Sequence, residues 1–254
     1  MKKVNVFWIL SLVLFLFYSC ANDKNGNDKL LTKLVEKTED GSSFTTLFSY
    51  KGNEIVSSDN ANEHVDYTYV NGLITKIITK NKSNQSAVTV DYNYQKEQLV
   101  SVKSSDNYRI DFVHNSDGTV AYERFSLDSN NQETKLYHGV LSLKNDNLVK
   151  DKRTVDGTQV GVVTTEDVSF EYDSKKNPMH AILGFDKLLN QNQLVSVNNS
   201  LISVVESTTT NAADQIISSA KFYKSTFKYD TDDYPTERFA ETAKSGSLKS
   251  QYFY

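Results

Sequence analysis

The sequence predicts an all-β protein: an antiparallel meander of repeated hairpins, curved or barrel-like, with one short helix near residues 178–190. Three observations predict it. An aromatic pair at spacing two recurs along the chain, a short polar turn comes after each copy, and an aliphatic or β-branched run comes after the turn. Residues i and i+2 of a strand share a face, so each pair sets both rings on one side. A turn after every pair reads as a hairpin, and repetition at a two-strand period reads as a meander.

The copies are Phe48-Ser49-Tyr50, Tyr67-Thr68-Tyr69, Tyr92-Asn93-Tyr94, Phe112-Val113-His114, Phe170-Glu171-Tyr172 and Phe227-Lys228-Tyr229. A degenerate copy, Leu141-Ser142-Leu143, halves the longest gap, and Tyr252-Phe253-Tyr254 repeats the aromatic half. The turns include Lys51-Gly52-Asn53, Asn71-Gly72, Gln95-Lys96-Glu97, Ser116-Asp117-Gly118 and Asn145-Asp146-Asn147. Asn and Gly tolerate the positive φ that tight hairpins demand. Val88, Val90, Tyr92 and Tyr94 alternate with Thr89, Asp91 and Asn93, as expected for a sheet with one buried and one wet face. Between Thr119 and Leu127 the apolar set changes parity, from Val120/Tyr122 to Phe125/Leu127, which predicts a bulge near Glu123-Arg124.

One stretch breaks the repeat. Asn177-Pro178 offers a helix cap and a first-turn proline, and Met179, Ile182, Leu183, Leu188 and Leu189 continue with helix-like spacing, weakened by Gly184. The polar run from Thr208 to Asp214 reads as an exposed loop.

The amino terminus is organised differently. Lys2 and Lys3 precede an apolar run from Val6 to Phe17, the length of a secretory h-region and short for a transmembrane helix. It ends at Phe17-Tyr18-Ser19-Cys20, and Cys20 is the sole cysteine. Residues 1–19 are therefore expected to be a signal peptide, residues 20–29 a polar tether, and residues 30–254 a single β-meander domain. The Ser19-Cys20 pair resembles the lipobox of bacterial lipoproteins. That resemblance implies cleavage before Cys20, with a diacylglycerol on its sulfur and an N-acyl chain on its amine. The lipobox, the Tyr-rich hairpins and the segments Phe170–Pro178 and Phe227–Pro235 together resemble uncharacterised Bacteroidota outer-membrane lipoproteins with a YD-repeat-like or porin-like β-meander domain. The resemblance implies a fold and a location in the outer membrane, on its periplasmic or its cell-surface side, and no activity.

Composition narrows the function classes. With 254 residues, 38% of them hydrophobic, the chain can bury a substantial core. The formal net charge is −4, and removing Lys2 and Lys3 makes it more negative, which argues against a nucleic-acid partner. One cysteine excludes a disulfide framework and a cysteine zinc site. There is no Gly-x-Ser-x-Gly elbow, His-Glu-x-x-His helix or phosphate-binding glycine loop. The four histidines, His64, His114, His138 and His180, are dispersed. Glu166-Asp167 and Asp232-Asp233 are neighbours in sequence, which in strands sends them to opposite faces. Asp230-Thr231-Asp232-Asp233 has the residue types of a calcium turn, but a plain solvated turn is the favoured reading. The rings accompany valine and isoleucine, so they read as core rather than as a sugar-stacking platform.

No catalytic residue, metal ligand or cofactor is predicted, and Cys20 is the one modification site. The expected function is that of a lipid-anchored, non-enzymatic envelope scaffold or binding module, with a glycan or another envelope protein as the partner classes. Two alternatives are a secreted hydrolase or glycan-processing subunit with an unrecognised carboxylate site, and an outer-membrane-spanning barrel.

Overall fold

A computed structural model describes residues 28–254 apart from 158, 193 and 242–245. The expected signal peptide, Cys20 and residues 21–27 of the expected tether fall outside the described residues. The first strands are β1 (Lys33–Thr38), β2 (Ser43–Lys51), β3 (Glu54–Asp59) and β4 (Glu63–Val70). The meander continues through β5 (Leu73–Asn81), β6 (Ala87–Gln95), β7 (Gln98–Ser104) and β8 (Tyr108–His114). Next come β9 (Val120–Leu127), β10 (Glu133–Lys144), β11 (Asn147–Val155) and β12 (Val163–Lys176). The last four are β13 (Asn198–Thr210), β14 (Ile216–Tyr229), β15 (Pro235–Glu241) and β16 (Ser247–Phe253). Each strand pairs antiparallel with its sequence neighbours, and β1 pairs with β16, so the meander closes into a barrel. Closure runs from Lys33 opposite Phe253 to Thr38 opposite Leu248 and removes both free sheet edges.

The repeat places the ring pairs of the even-numbered strands at one end of this barrel. Turns there are tight. Asn71 and Gly72 have φ of 52° and 77°, and Lys96 and Glu97 have 50° and 62°, the double positive φ of a type I′ hairpin. A register slip falls just before the second member of the repeat at Tyr50, Tyr69, Tyr94, Leu143, Tyr172 and Tyr229. The extra residue lets an apolar side chain directly after the turn face inward as well: Ile55, Ile74, Leu99 and Leu148 are each at most 1% exposed. The ring pairs of the first three copies, with Phe112 and Phe170, pack with this layer inside the barrel.

The expected helix near 178–190 does not form. The described residues of 177–197 instead turn into the lumen as a plug, with a single 3₁₀ turn at Phe185–Lys187 among them. The Asn177 cap is present, its Oδ1 accepting from the Met179 N–H at 2.8 Å. Beyond the cap the backbone bonds run from i+3 to i, such as Ile182 N–H to Met179 O at 3.1 Å. Met179, Ile182, Phe185 and Leu188 recur every third residue, the period of the tighter 3₁₀ coil, and Gly184 has φ of 81°, outside any right-handed helix. Ile182, Phe185, Leu188 and Leu189 are buried in the same cluster as the barrel wall. The plug is tied to the turns at one rim: Leu183 N–H to Asn53 O at 3.0 Å and Val197 N–H to Asp146 O at 3.2 Å. Tyr69 donates its hydroxyl to Leu183 O at 3.0 Å.

Two smaller expectations change. The irregularity expected near Glu123-Arg124 lies on the partner strand, between Lys135 and Tyr137 of β10. β9 itself is continuous, so Phe125 faces out and Arg124 faces in. Thr208–Thr210 belong to β13, and only residues 211–215 form the exposed turn.

Candidate lumenal binding site

Cross-strand partners share a face, so the register sorts each side chain to the lumen or the outside. The outer face is charged and ion-paired. Lys76 meets Asp91 at 3.3 Å, Lys80 meets Asp66 at 2.8 Å, and Lys150 meets Asp167 at 2.9 Å. Lys228 and Lys249 both hold Glu237, at 2.7 and 2.9 Å, and these ammonium groups pull its carboxyl down to about 2. Apolar side chains also reach the outside: Leu47 stands between Lys33 and Asp59, Val113 opposite Ala121, and Phe222 opposite Val204.

The arginines sort the other way. Of the four in the chain, Arg124, Arg153 and Arg238 face the lumen and Arg109 faces out. Guanidinium groups are more weakly hydrated than ammonium groups and stack on rings, so they suit a ring-lined interior. Arg124 lies 4.1 Å from the Tyr108 ring centre and 5.9 Å from that of Tyr137. Arg153 lies 5.2 Å from the same Tyr137 ring. Its Nη2 reaches Asp151 Oδ2 at 2.6 Å, and its Nη1 stands 3.6 Å from Glu166. Asp151 is 2% exposed, and a carboxylate so buried needs its partners: Tyr122 supplies a second, donating to Oδ1 at 2.6 Å. Burial, reinforced by the Asp151 carboxylate, pushes the Tyr122 hydroxyl well above its ordinary range, so it serves as a donor.

These residues line a cavity of about 210 Å³ between β8–β11 and the plug. Ile110, Phe112, Leu141 and Leu189 form its apolar wall, and Asn190 and Asn192 of the plug its polar side. Arg153 Nε and Asn190 Oδ1 are buried without a protein partner. A second compartment of about 250 Å³ lies on the other side of Asn192, lined by Tyr223, Phe227, Tyr252, Ser250, Arg238 and Glu36 among others. There Arg238 Nε donates to Ser225 Oγ at 3.1 Å.

The residues singled out in the sequence fall elsewhere. Among the described residues no group of three or more His, Cys, Asp or Glu side chains is placed to hold a metal ion. His64 sits outside between Asp59 and Asp66, at 2.7 and 3.1 Å, and His138 beside Asp156 at 2.8 Å. His114 takes the place of a repeat tyrosine, its Nε2 2.9 Å from Leu99 O. Glu166 points inward to Arg153 and Asp167 outward to Lys150. In the Asp230–Asp233 turn, the Lys29 ammonium holds Asp230 and Asp232 at 2.8 and 2.6 Å, and Lys175 holds Asp233. Asp28 and Lys29, at the end of the expected tether, are thus seated on the barrel, Asp28 accepting from Tyr234 Oη at 3.0 Å. The lumenal arginines carry no motif. Parity alone marks them: Arg124 is two residues from Tyr122, and Arg153 two from Asp151.

No family model and no curated protein matches the sequence. Solved structures similar in fold include two porin-like proteins. A porin-like protein from Bacteroides vulgatus superposes with a TM-score of 0.55 at 12% identity, covering 89% of this chain and 99% of that one. A porin-like protein from Bacteroides uniformis gives 0.52 at 9% identity, covering 88% and 97%. At such identity the likeness is one of fold, a closed antiparallel barrel.

Proposed function

We propose that the protein is a non-enzymatic envelope protein, held at the bacterial outer membrane by lipid on Cys20, whose water-facing barrel serves as a binding module. The observation that carries this reading is the polarity of the barrel. A spanning barrel needs an outward apolar band, and each Lys or Arg facing the bilayer midplane costs about 2–4 kcal/mol. Here Lys76, Arg109, Lys150 and Lys152 face out, while the interior holds the apolar cluster. Several such penalties would consume a typical stability of roughly 5–15 kcal/mol. The porin-like structures support the barrel and an envelope setting. A separate anchor then supplies what the barrel wall lacks, as two or more acyl chains hold stably at about 0.8 kcal/mol per buried CH₂. Binding is favoured over catalysis because two inward carboxylates, Asp151 and Glu166, are engaged by Arg153 rather than set beside a nucleophile.

The test combines palmitate labelling with detergent phase partition. The wild-type chain is expected to take up label and enter the detergent phase. Cys20→Ala is expected to lose the label and enter the aqueous phase. Label persisting in Cys20→Ala would remove the anchor, and an unlabelled chain that still required detergent would remove the water-facing barrel.

A further inference from the structure

We propose that the Arg124–Arg153 compartment binds a small monocarboxylate bearing an apolar ring, with its carboxylate on the guanidinium groups and its ring against Phe112, Leu141 and Leu189. The inference deepens the binding-module reading and rests on it. Both guanidinium groups converge on one ring, Tyr137, from 5.9 and 5.2 Å. Arg153 is balanced by Asp151 on its Nη2 and Glu166 near its Nη1, and only its buried Nε has no protein partner. Arg124 is held by rings rather than by a carboxylate. A planar two-donor fork that is positioned but not neutralised is the usual recognition element for a carboxylate.

Charge sets the valence of the ligand. Asp151 and Glu166 both engage Arg153, so Arg124 is the guanidinium of this compartment without a carboxylate beside it and offers one fork to one carboxylate. Shape sets its body. The cavity of about 210 Å³ counts Ile110, Phe112, Leu141 and Leu189 in its lining, which gives room and apolar contact for a single ring. Asn190 Oδ1, buried and unpartnered on the plug, offers an acceptor to a ring hydroxyl. In the Arg238 compartment the arginine is already bonded to Ser225 Oγ.

The intact protein in non-ionic detergent is titrated calorimetrically with benzoate, cyclohexanecarboxylate, benzyl alcohol and phenyl phosphate. The two carboxylates are expected to saturate below about 10 mM, with benzyl alcohol about tenfold weaker or worse. Arg124→Gln is expected to lose about tenfold in benzoate affinity, Arg124→Lys less, and Arg238→Gln nothing. A readout that needs no variant is the ring-current shift of the Leu141 and Leu189 methyl resonances on adding benzoate, absent with acetate. Equal binding of benzyl alcohol, tighter binding of phenyl phosphate, unmoved methyl resonances or no saturation by either carboxylate would each overturn the site. None of these results bears on palmitate labelling or phase partition, so the anchor and the ligand fail separately.

Discussion

Tyr94 donates its hydroxyl to the main-chain carbonyl of Ile74, 3.0 Å away on the neighbouring strand. The β5–β6 ladder has already ended, at Lys76 opposite Asp91, so the side chain takes over where the backbone pairing stops. The same bond recurs around the plugged rim. Tyr50 donates to Leu31 O at 2.7 Å, Tyr172 to Leu148 O at 2.6 Å and Tyr254 to Pro235 O at 3.0 Å, each beyond the end of its ladder. The second ring of the repeat is therefore a latch as well as core, and it satisfies carbonyls that the splayed strands leave open.

Tyr94→Phe tests one latch. It keeps the ring and removes the hydroxyl, leaving the Ile74 carbonyl buried without a partner, which costs about 1–3 kcal/mol. Urea denaturation should show the midpoint falling with an unchanged slope. An unchanged midpoint would reduce the latch to a bystander of ring packing.

The plug should matter more than any one latch. Leu188 is fully buried among the barrel's apolar side chains. Leu188→Ala removes its transfer free energy and leaves a cavity, at about 2–5 kcal/mol. The expected result is a lowered thermal midpoint with strand content retained. A plug that merely occupies a self-supporting barrel would give a loss of well under 1 kcal/mol.

The fate of particular residues shows what is legible in the sequence. Tyr92 and Tyr94 announce both their strand face and the turn after them, because a ring pair at spacing two has one geometric reading. Closure is only implied by Tyr252 and Tyr254, since pairing with Leu34 spans the whole chain and leaves no local mark. Met179 to Leu188 mislead because spacings of three and of 3.6 barely differ over ten residues, and the enclosing wall, not local propensity, selects the tighter coil. Phe125 misleads in the opposite sense. Its ring looks like core, yet it lies outside beneath Arg109, 4.5 Å from the guanidinium, while Arg124 enters the lumen. Once a barrel has an aromatic interior, a buried arginine beside it is stable, and residue type no longer reports face.

Gly139 is required by close packing rather than by backbone freedom. A β-carbon there would stand 2.6 Å from Lys152 O and 2.7 Å from the Tyr122 ring and hydroxyl. Backbone on one side and the Tyr122–Asp151 bond on the other leave it nowhere to go. Gly139→Ala should destabilise by about 1–3 kcal/mol and loosen the Arg153 compartment. Benzoate titration of this variant alongside its thermal midpoint checks both effects, and a neutral substitution would mean that Tyr122 can swing away without loss.

The barrel should fail abruptly in alkali. Burial, with the Asp28 carboxylate beside the hydroxyl, pushes Tyr234 up to about 12, and burial raises Tyr50, Tyr69 and Tyr94 as well. In an unfolded chain these phenols ionise near pH 10. The folded values lie above the unfolded ones, so the stability these groups contribute is complete below about pH 10 and is lost as pH rises through the folded values. The absorbance of these tyrosinates should therefore rise in a single step that coincides with loss of the far-ultraviolet strand signal. Tyr234→Phe should move that step to higher pH. Gradual ionisation of every tyrosine near pH 10 with the strand signal intact would show that water reaches the rim rings freely and that they are not the seal this packing makes them.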